Sequence, residues 1–303
     1  MAKQRDIMIQ NTTTIFLDSI EPLLVSWVIF DAGKIKDTCV HGSLNDLPTE
    51  AKQNSITLVV PAQDVLITQA ELPKLNRHRL MQALPFALEE KLIHDVSELH
   101  FAIATHQANG TVPVAIVNKT KMLEWLSLLN SHDIFPTQLI SSIFALPAIE
   151  NNWSAAIFSE TCAVRTGKYS GFGCDKINFA ALLELSTNNA TEKPEFVYLH
   201  NFPEDFAAPE NINFNKTYLE YDAFLQKASE WIIENPSINL LQGTYQPKRK
   251  TSQTKNIWKI ASYLVGVLIV LAFINNLVSF MILKQQSNAL DTKIAAIYKK
   301  NST

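Results

Sequence analysis

The chain has 303 residues, 47% of them hydrophobic and 18% charged, with a formal net charge of -3. That apolar content supplies a real core and excludes global disorder, and the length fits one large domain or two to three smaller ones. Only 8 residues are glycine, well under half the usual ~7%, so an ordinary nucleotide enzyme is excluded for want of the residues that let a loop approach phosphate closely.

The first half, about residues 1–150, opens with strands. TTIFL (Thr13–Leu17) and LLVSWVIF (Leu23–Phe30) lead to a DAGK turn and IKDTCV (Ile35–Val40), then SITLVV (Ser55–Val60) and DVLITQAEL (Asp64–Leu72), all rich in β-branched residues. Leu80, Leu84, Leu88 and Leu92 stand four apart, which predicts a helix over Lys74–Leu92 with Pro85 forcing a break or a fresh start. LHFAIA (Leu99–Ala104) and TVPVAIVN (Thr111–Asn118) are again strands. A helix follows from Thr120, its Met122, Trp125, Leu126 and Leu129 forming a core stripe.

The second half, 151–243, repeats the order. SAAIFS (Ser154–Ser159), TCAVRTG (Thr161–Gly167) and KYSGFG precede a helix capped by Asp175 and running through Leu185. A strand EFVYLH (Glu195–His200) and an amphipathic helix over Asp222–Glu234 complete it. Each half therefore fits a three-strand meander with helix-linked strands added, as in a ribonuclease H-like unit. Two such units in tandem make an α/β domain of actin-like architecture, which we expect to span residues 1–243.

Charge then changes sign. Met1 to Pro247 carries 17 Lys and Arg against 28 Asp and Glu, whereas Lys248 to Thr303 carries 9 against 1. A basic linker at 244–257 precedes a charge-free run, IASYLVGVLIVLAFINNLVSFMIL (Ile260–Leu283). At ~1.5 Å per residue this is long enough for the ~30 Å hydrocarbon layer, so one transmembrane helix is predicted over 258–283, followed by a short helical tail at 284–303. Lys248, Arg249, Lys250, Lys255 and Lys259 form a basic membrane flank. That cluster and the missing signal peptide favour a cytosolic N-terminus. Ser262, Gly266 and Asn276 lie within about ±40° on a helical wheel and form a candidate helix-helix contact. Leu283, Leu290 and Ile297, seven apart, extend the register into a stalk able to dimerise.

Chemistry is sparse. Actin-like ATPases hold phosphate on glycine-bearing hairpin turns, but the corresponding turns here are Asp18-Ser19-Ile20-Glu21-Pro22 and Ser159-Glu160-Thr161, neither with a glycine. Gly171-Phe172-Gly173 reads as a structural turn before a helix. His94, His100 and His106 share no face, and Cys39, Cys162 and Cys174 have no metal spacing. Glu89 and Glu90 diverge by ~100° on a helix and read as a solvated face. The acidic domain argues against nucleic acid. No catalytic, metal or cofactor-binding residue is expected.

VPAQDVLITQAELP (Val60–Pro73), ALPFALEEKLIHDVSELHFA (Ala83–Ala102) and INLLQGTYQPKRK (Ile238–Lys250) resemble, in order and in distance from a single span, segments of the GspL family, the inner-membrane protein L of bacterial type II secretion. More distantly, the layout resembles the type IV pilus proteins PilM and PilN joined end to end. The resemblance implies an actin-like cytosolic domain without ATPase activity that binds the secretion ATPase GspE at the inner membrane, pairs with protein M (GspM) and forms homodimers. It also implies a short periplasmic tail here, with the family's ferredoxin-like periplasmic domain missing after Thr303. The alternatives are a membrane-tethered actin-like ATPase or kinase with an unconventional nucleotide site, and a transmembrane sensor.

Overall fold

The computed structural model describes residues 11–20, 22–107, 110–203, 206, 209, 211–247, 262–278 and 280–284. The basic flank Lys248, Arg249, Lys250, Lys255 and Lys259, and the heptad positions Leu290 and Ile297, lie outside the described residues. The chain separates into two compact units, Met1–Pro247 and Lys248–Thr303.

In the first unit β1 (Thr12–Ile20), β2 (Leu23–Asp31) and β3 (Lys34–Gly42) form an antiparallel meander. β4 (Ser55–Val60) pairs parallel with β1, and a later strand, β8 (Gln138–Ser141), pairs parallel with β4. The sheet order is β3-β2-β1-β4-β8. The second half repeats it with β9 (Trp153–Phe158), β10 (Thr161–Gly167), β11 (Ser170–Asp175), β12 (Val197–His200) and β13 (Phe214–Thr217), in the order β11-β10-β9-β12-β13. Two ribonuclease H-like sheets in tandem are the actin-like arrangement, as the sequence led us to expect.

Between β4 and β8 the chain inserts a separate antiparallel sheet of β5 (Val65–Glu71), β7 (Thr111–Asn118) and β6 (Leu99–Ile103), in that order. Helix α1 (Arg77–Leu88) starts where the Asn76 side chain accepts from the Arg79 N–H. It buries Leu80, Leu84 and Leu88 against Phe101, Val112 and Val114. Pro85 was expected to interrupt this helix and does not. The lost bond to the carbonyl four residues earlier falls in a helix ending three residues later, and the three buried leucines hold it to the sheet. Glu89 and Glu90 continue into an exposed 3-10 turn.

Helix α2 (Lys119–Asn130) buries Met122, Trp125 and Leu129. α3 (Phe179–Asn189) begins directly after the 3-10 turn Lys176–Asn178, and Asp175 makes no capping bond. The expected cap is instead the last residue of β11. α4 (Tyr221–Glu234) buries Phe224, Leu225, Ala228 and Ile232. It packs on β2 and β3 of the first sheet. Its Phe224 also meets Phe158 of β9, with ring centroids 5.1 Å apart, and Phe158 in turn stacks 6.1 Å from Phe16 of β1. The two halves thus share one aromatic seam, which belongs to the largest buried cluster.

Gly171-Phe172-Gly173 is strand, not turn. A Cβ on Gly173 would sit 2.3 Å from the backbone carbon of Ala62 and 2.3 Å from the backbone nitrogen of Gln63, so glycine lets β11 of the second half pass directly over the 3-10 turn Ala62–Asp64 that leads to the inserted sheet. Gly173→Ala is expected to cost roughly 1–3 kcal/mol by overpacking, read as a lower midpoint of thermal unfolding. A midpoint equal to the parent's would mean the backbones separate freely.

The second unit contains a helix over Ser262–Lys284, 23 residues, the one stretch among the described residues long and apolar enough to cross a membrane. Ser262, Gly266 and Asn276 all fall on it.

Candidate functional site

In the actin-like layout, chemistry would take place between the first hairpins of the two halves. The first hairpin is built differently from the turn expected at Asp18–Pro22. β1 continues to Ile20 and β2 starts at Leu23, so Asp18 belongs to the strand. It falls where the β1–β2 register slips between Leu17 and Ser19, and a second slip, between Val25 and Trp27, falls at Ser26 where β2 meets β3. Bulges re-aim side chains, and these two bring Asp18, Ser26 and His41 into one network.

Within it, the Ser26 hydroxyl donates to Asp18 Oδ2 at 2.6 Å and accepts from the His41 backbone N–H at 2.9 Å. His41 Nδ1 lies 3.1 Å from the same carboxylate oxygen. The Tyr221 hydroxyl, at the start of α4, donates to Asp18 Oδ1 at 3.2 Å. The His41 and Tyr221 rings stack at 5.3 Å. The Asp18 side chain is only 2% exposed. Burial raises its pKa, while the Ser26 bond, the His41 imidazole and the Tyr221 bond oppose that rise. Burial also raises the Tyr221 hydroxyl's pKa, with Asp18 adding to the effect, so this tyrosine stays a donor at neutral pH. Both oxygens of the carboxylate are therefore occupied by protein groups.

The second hairpin turns through Ser159 and Glu160 alone, with Ser159 in the left-handed region at φ 55. A hydrogen bond from its backbone reaches Tyr221. One tyrosine on α4 therefore bridges the two positions at which an actin-like ATPase would hold phosphate.

The histidines are placed separately. His100 is buried, with Nε2 2.7 Å from the Leu240 carbonyl and burial lowering its pKa. His106 Nε2 lies 3.1 Å from the Leu72 carbonyl. Among the described residues no group of His, Cys, Asp and Glu could hold a metal ion. Cys162 and Cys174 face each other across β10 and β11, both buried.

Sequence reasoning missed the part played by the segment after α4. The Leu240 N–H donates to the Leu139 carbonyl at 2.7 Å, and Asn239 Oδ1 accepts from the Leu139 N–H at 3.0 Å, so this segment seals the free edge of β8. Gln242 then reaches the inserted sheet: its Oε1 accepts from the Ile103 N–H at 3.0 Å and from Arg77, and its Nε2 donates to the Ile103 carbonyl at 3.0 Å. The three segments that carry the family resemblance meet here, since Val60–Pro73, Ala83–Ala102 and Ile238 onward all build or brace the inserted sheet. The signal in the sequence was the apolar run Ile238, Leu240, Leu241, all three buried.

A match to the family described as type II secretion system (T2SS), protein L, covers residues 24–248. The chain is similar to the type II secretion system protein L of Klebsiella pneumoniae, 29% identical over 79% of this chain and 57% of the relative. The protein of that name from Vibrio cholerae is 21% identical over 94% of this chain and 70% of the relative. The chain thus spans little more than half the length of the Klebsiella relative. Among solved structures, the cytoplasmic domain of EpsL, an inner membrane component of the type II secretion system of Vibrio cholerae, superposes with a TM-score of 0.65 at 19% identity. It covers 78% of this chain and 99% of that one, and shows a shared fold. With the family match extending from the first hairpin to the start of the basic linker, the chain belongs to the type II secretion system protein L family.

Proposed function

We propose that the protein is a non-catalytic scaffold of the type II secretion system. In this reading its acidic actin-like domain holds the secretion ATPase GspE at the cytosolic face of the inner membrane. The apolar helix, spanning once with the N-terminus in the cytosol, links that domain to protein M (GspM) and the rest of the membrane platform.

The observation that carries the reading is the occupied hairpin. Asp18, an acidic side chain at the first hairpin, where an actin-like ATPase would organise phosphate and metal, is buried under Ser26, His41 and Tyr221. An acid with both oxygens engaged and its pKa raised is a structural group rather than a ligand. Ser262, Gly266 and Asn276 supply the contact by which two such helices pair into a homodimer, since small and polar residues let helices approach in lipid.

The test is co-purification with GspE from membranes, comparing the full chain with a variant lacking Met1–Gly243. Loss of GspE from the truncated protein is expected. If the tail and membrane helix alone retain the ATPase, the domain is not the docking element and the reading fails.

A further inference from the structure

Among the described residues, six non-glycine residues adopt left-handed backbone geometry, and three of them line a single open cavity of about 360 Å3: His41 (φ 56), Ser159 (φ 55) and Asn201 (φ 57). Side chains in that region cost of order 1–3 kcal/mol each and persist where surrounding structure enforces them, which concentrates them at ligand sites. The cavity lies at the carboxyl ends of β9 and β12, which are parallel neighbours. Open α/β sheets take ligands at such ends.

The described lining residues have a charge character opposite to that of their domain. Met1 to Pro247 carries 28 acidic residues against 17 basic ones, yet among the described residues the cavity is lined by Lys176 and His41 and by no carboxylate. Lys176 is held beside the second hairpin by a bond from its backbone N–H to the Glu160 carbonyl, 3.1 Å, and its ammonium enters no ion pair among the described residues. His41 uses Nδ1 on Asp18, leaving its second ring nitrogen to meet a ligand. Tyr218 and Ser159 add hydroxyl donors.

We propose that this cavity binds a small oxyanion, a carboxylate or a phosphate, held by Lys176 and His41. Asp18 remains shielded beneath His41 and Tyr221, so the oxyanion sits above the buried acid instead of replacing it. This inference stands independently of ATPase recruitment, because it requires no partner protein.

The experiment uses the full chain in detergent, titrated with sodium phosphate or sodium acetate at constant ionic strength set by sodium chloride. The readouts are the thermal midpoint and the histidine resonances of isotope-labelled protein. At least one of the two anions is expected to give a saturable rise in midpoint together with movement of the His41 resonance, and the comparison distinguishes phosphate from carboxylate. Lys176 is exposed, so Lys176→Met should fold with the parent's midpoint while raising the half-saturating concentration at least tenfold. His41→Gln should weaken binding too. The proposal is overturned if neither anion acts beyond chloride, or if Lys176→Met binds as tightly as the parent.

Discussion

Arg165→Leu is expected to lower the stability of the first unit by roughly 3–5 kcal/mol, which for a domain of this size is on the order of 10 °C in thermal midpoint. Arg165 is 1% exposed and sits in the middle of β10. Its Nε donates to the Gly167 carbonyl at 3.1 Å and its Nη1 to the Leu146 carbonyl at 2.7 Å. Its Nη2 donates to the carbonyls of Lys168 at 2.8 Å and Pro236 at 3.0 Å. The guanidinium also lies over the Phe144 ring, 5.3 Å from its centroid. One side chain therefore joins β10, the end of the 3-10 turn after β8, and the segment that leaves α4 for β8. Burial lowers its pKa to about 10, so it remains a cation at neutral pH, neutralised by carbonyl dipoles rather than by a carboxylate.

Leucine would fill much of the volume but strand four carbonyl oxygens, each costing about 1–3 kcal/mol if no water replaces the donor. Arg165→Lys should fall between parent and leucine variant, because one ammonium cannot reproduce the planar fork that reaches four acceptors. The measurement is thermal unfolding of the three proteins side by side. A leucine variant melting within a degree or two of the parent would show that the carbonyls find other partners.

The same residue shows where sequence reading stops. In TCAVRTG the alternation of side chains marks a strand, and a lone arginine in a strand ordinarily faces water. Here both faces of β10 are covered, one by the second half's own core and the other by residues from outside its meander, among them Phe144, Leu146 and Pro236. The longer strands were legible because β-branched and aromatic residues dominate them. Their bounds agree with the expected ones within a few residues, and SITLVV agrees residue for residue. The short edge strands β8 and β13 were not legible: QLIS and FNKT carry little local preference and become strand through parallel pairing with β4 and β12. The inserted sheet was visible as strands but not as a separate layer, since pairing partners are not written in periodicity. At the hairpin site the missing glycines were legible and the bulges were not, so Asp18 read as a turn residue until the register slips placed it in the strand beside Ser26 and His41.

Acid should unfold this domain partly through His200, at the carboxyl end of β12. The residue is 7% exposed, and neither ring nitrogen has a hydrogen-bond partner among the described residues. Its ring lies 4.9 Å from Trp231 of α4. Burial lowers its pKa from 6.5 to about 4 because charging the imidazole there removes it from water without compensation. The folded state therefore binds fewer protons than the unfolded state between those two values. The contribution to stability is complete above pH 6.5, falls as the pH drops through that window, and is gone near pH 4. Two and a half pKa units correspond to roughly 3 kcal/mol. His200→Phe keeps an aromatic ring against Trp231 and removes the titration, so its unfolding free energy should fall about 2–3 kcal/mol less than the parent's between pH 7 and pH 4.5, read as a smaller drop in thermal midpoint. His100, also buried with a lowered pKa, contributes a separate acid dependence that both proteins share and that cancels in the comparison. Parallel loss of midpoint in parent and variant across this range would show that His200 gains a proton without cost, and hence that water or a partner group reaches the ring at the seam between β12 and α4.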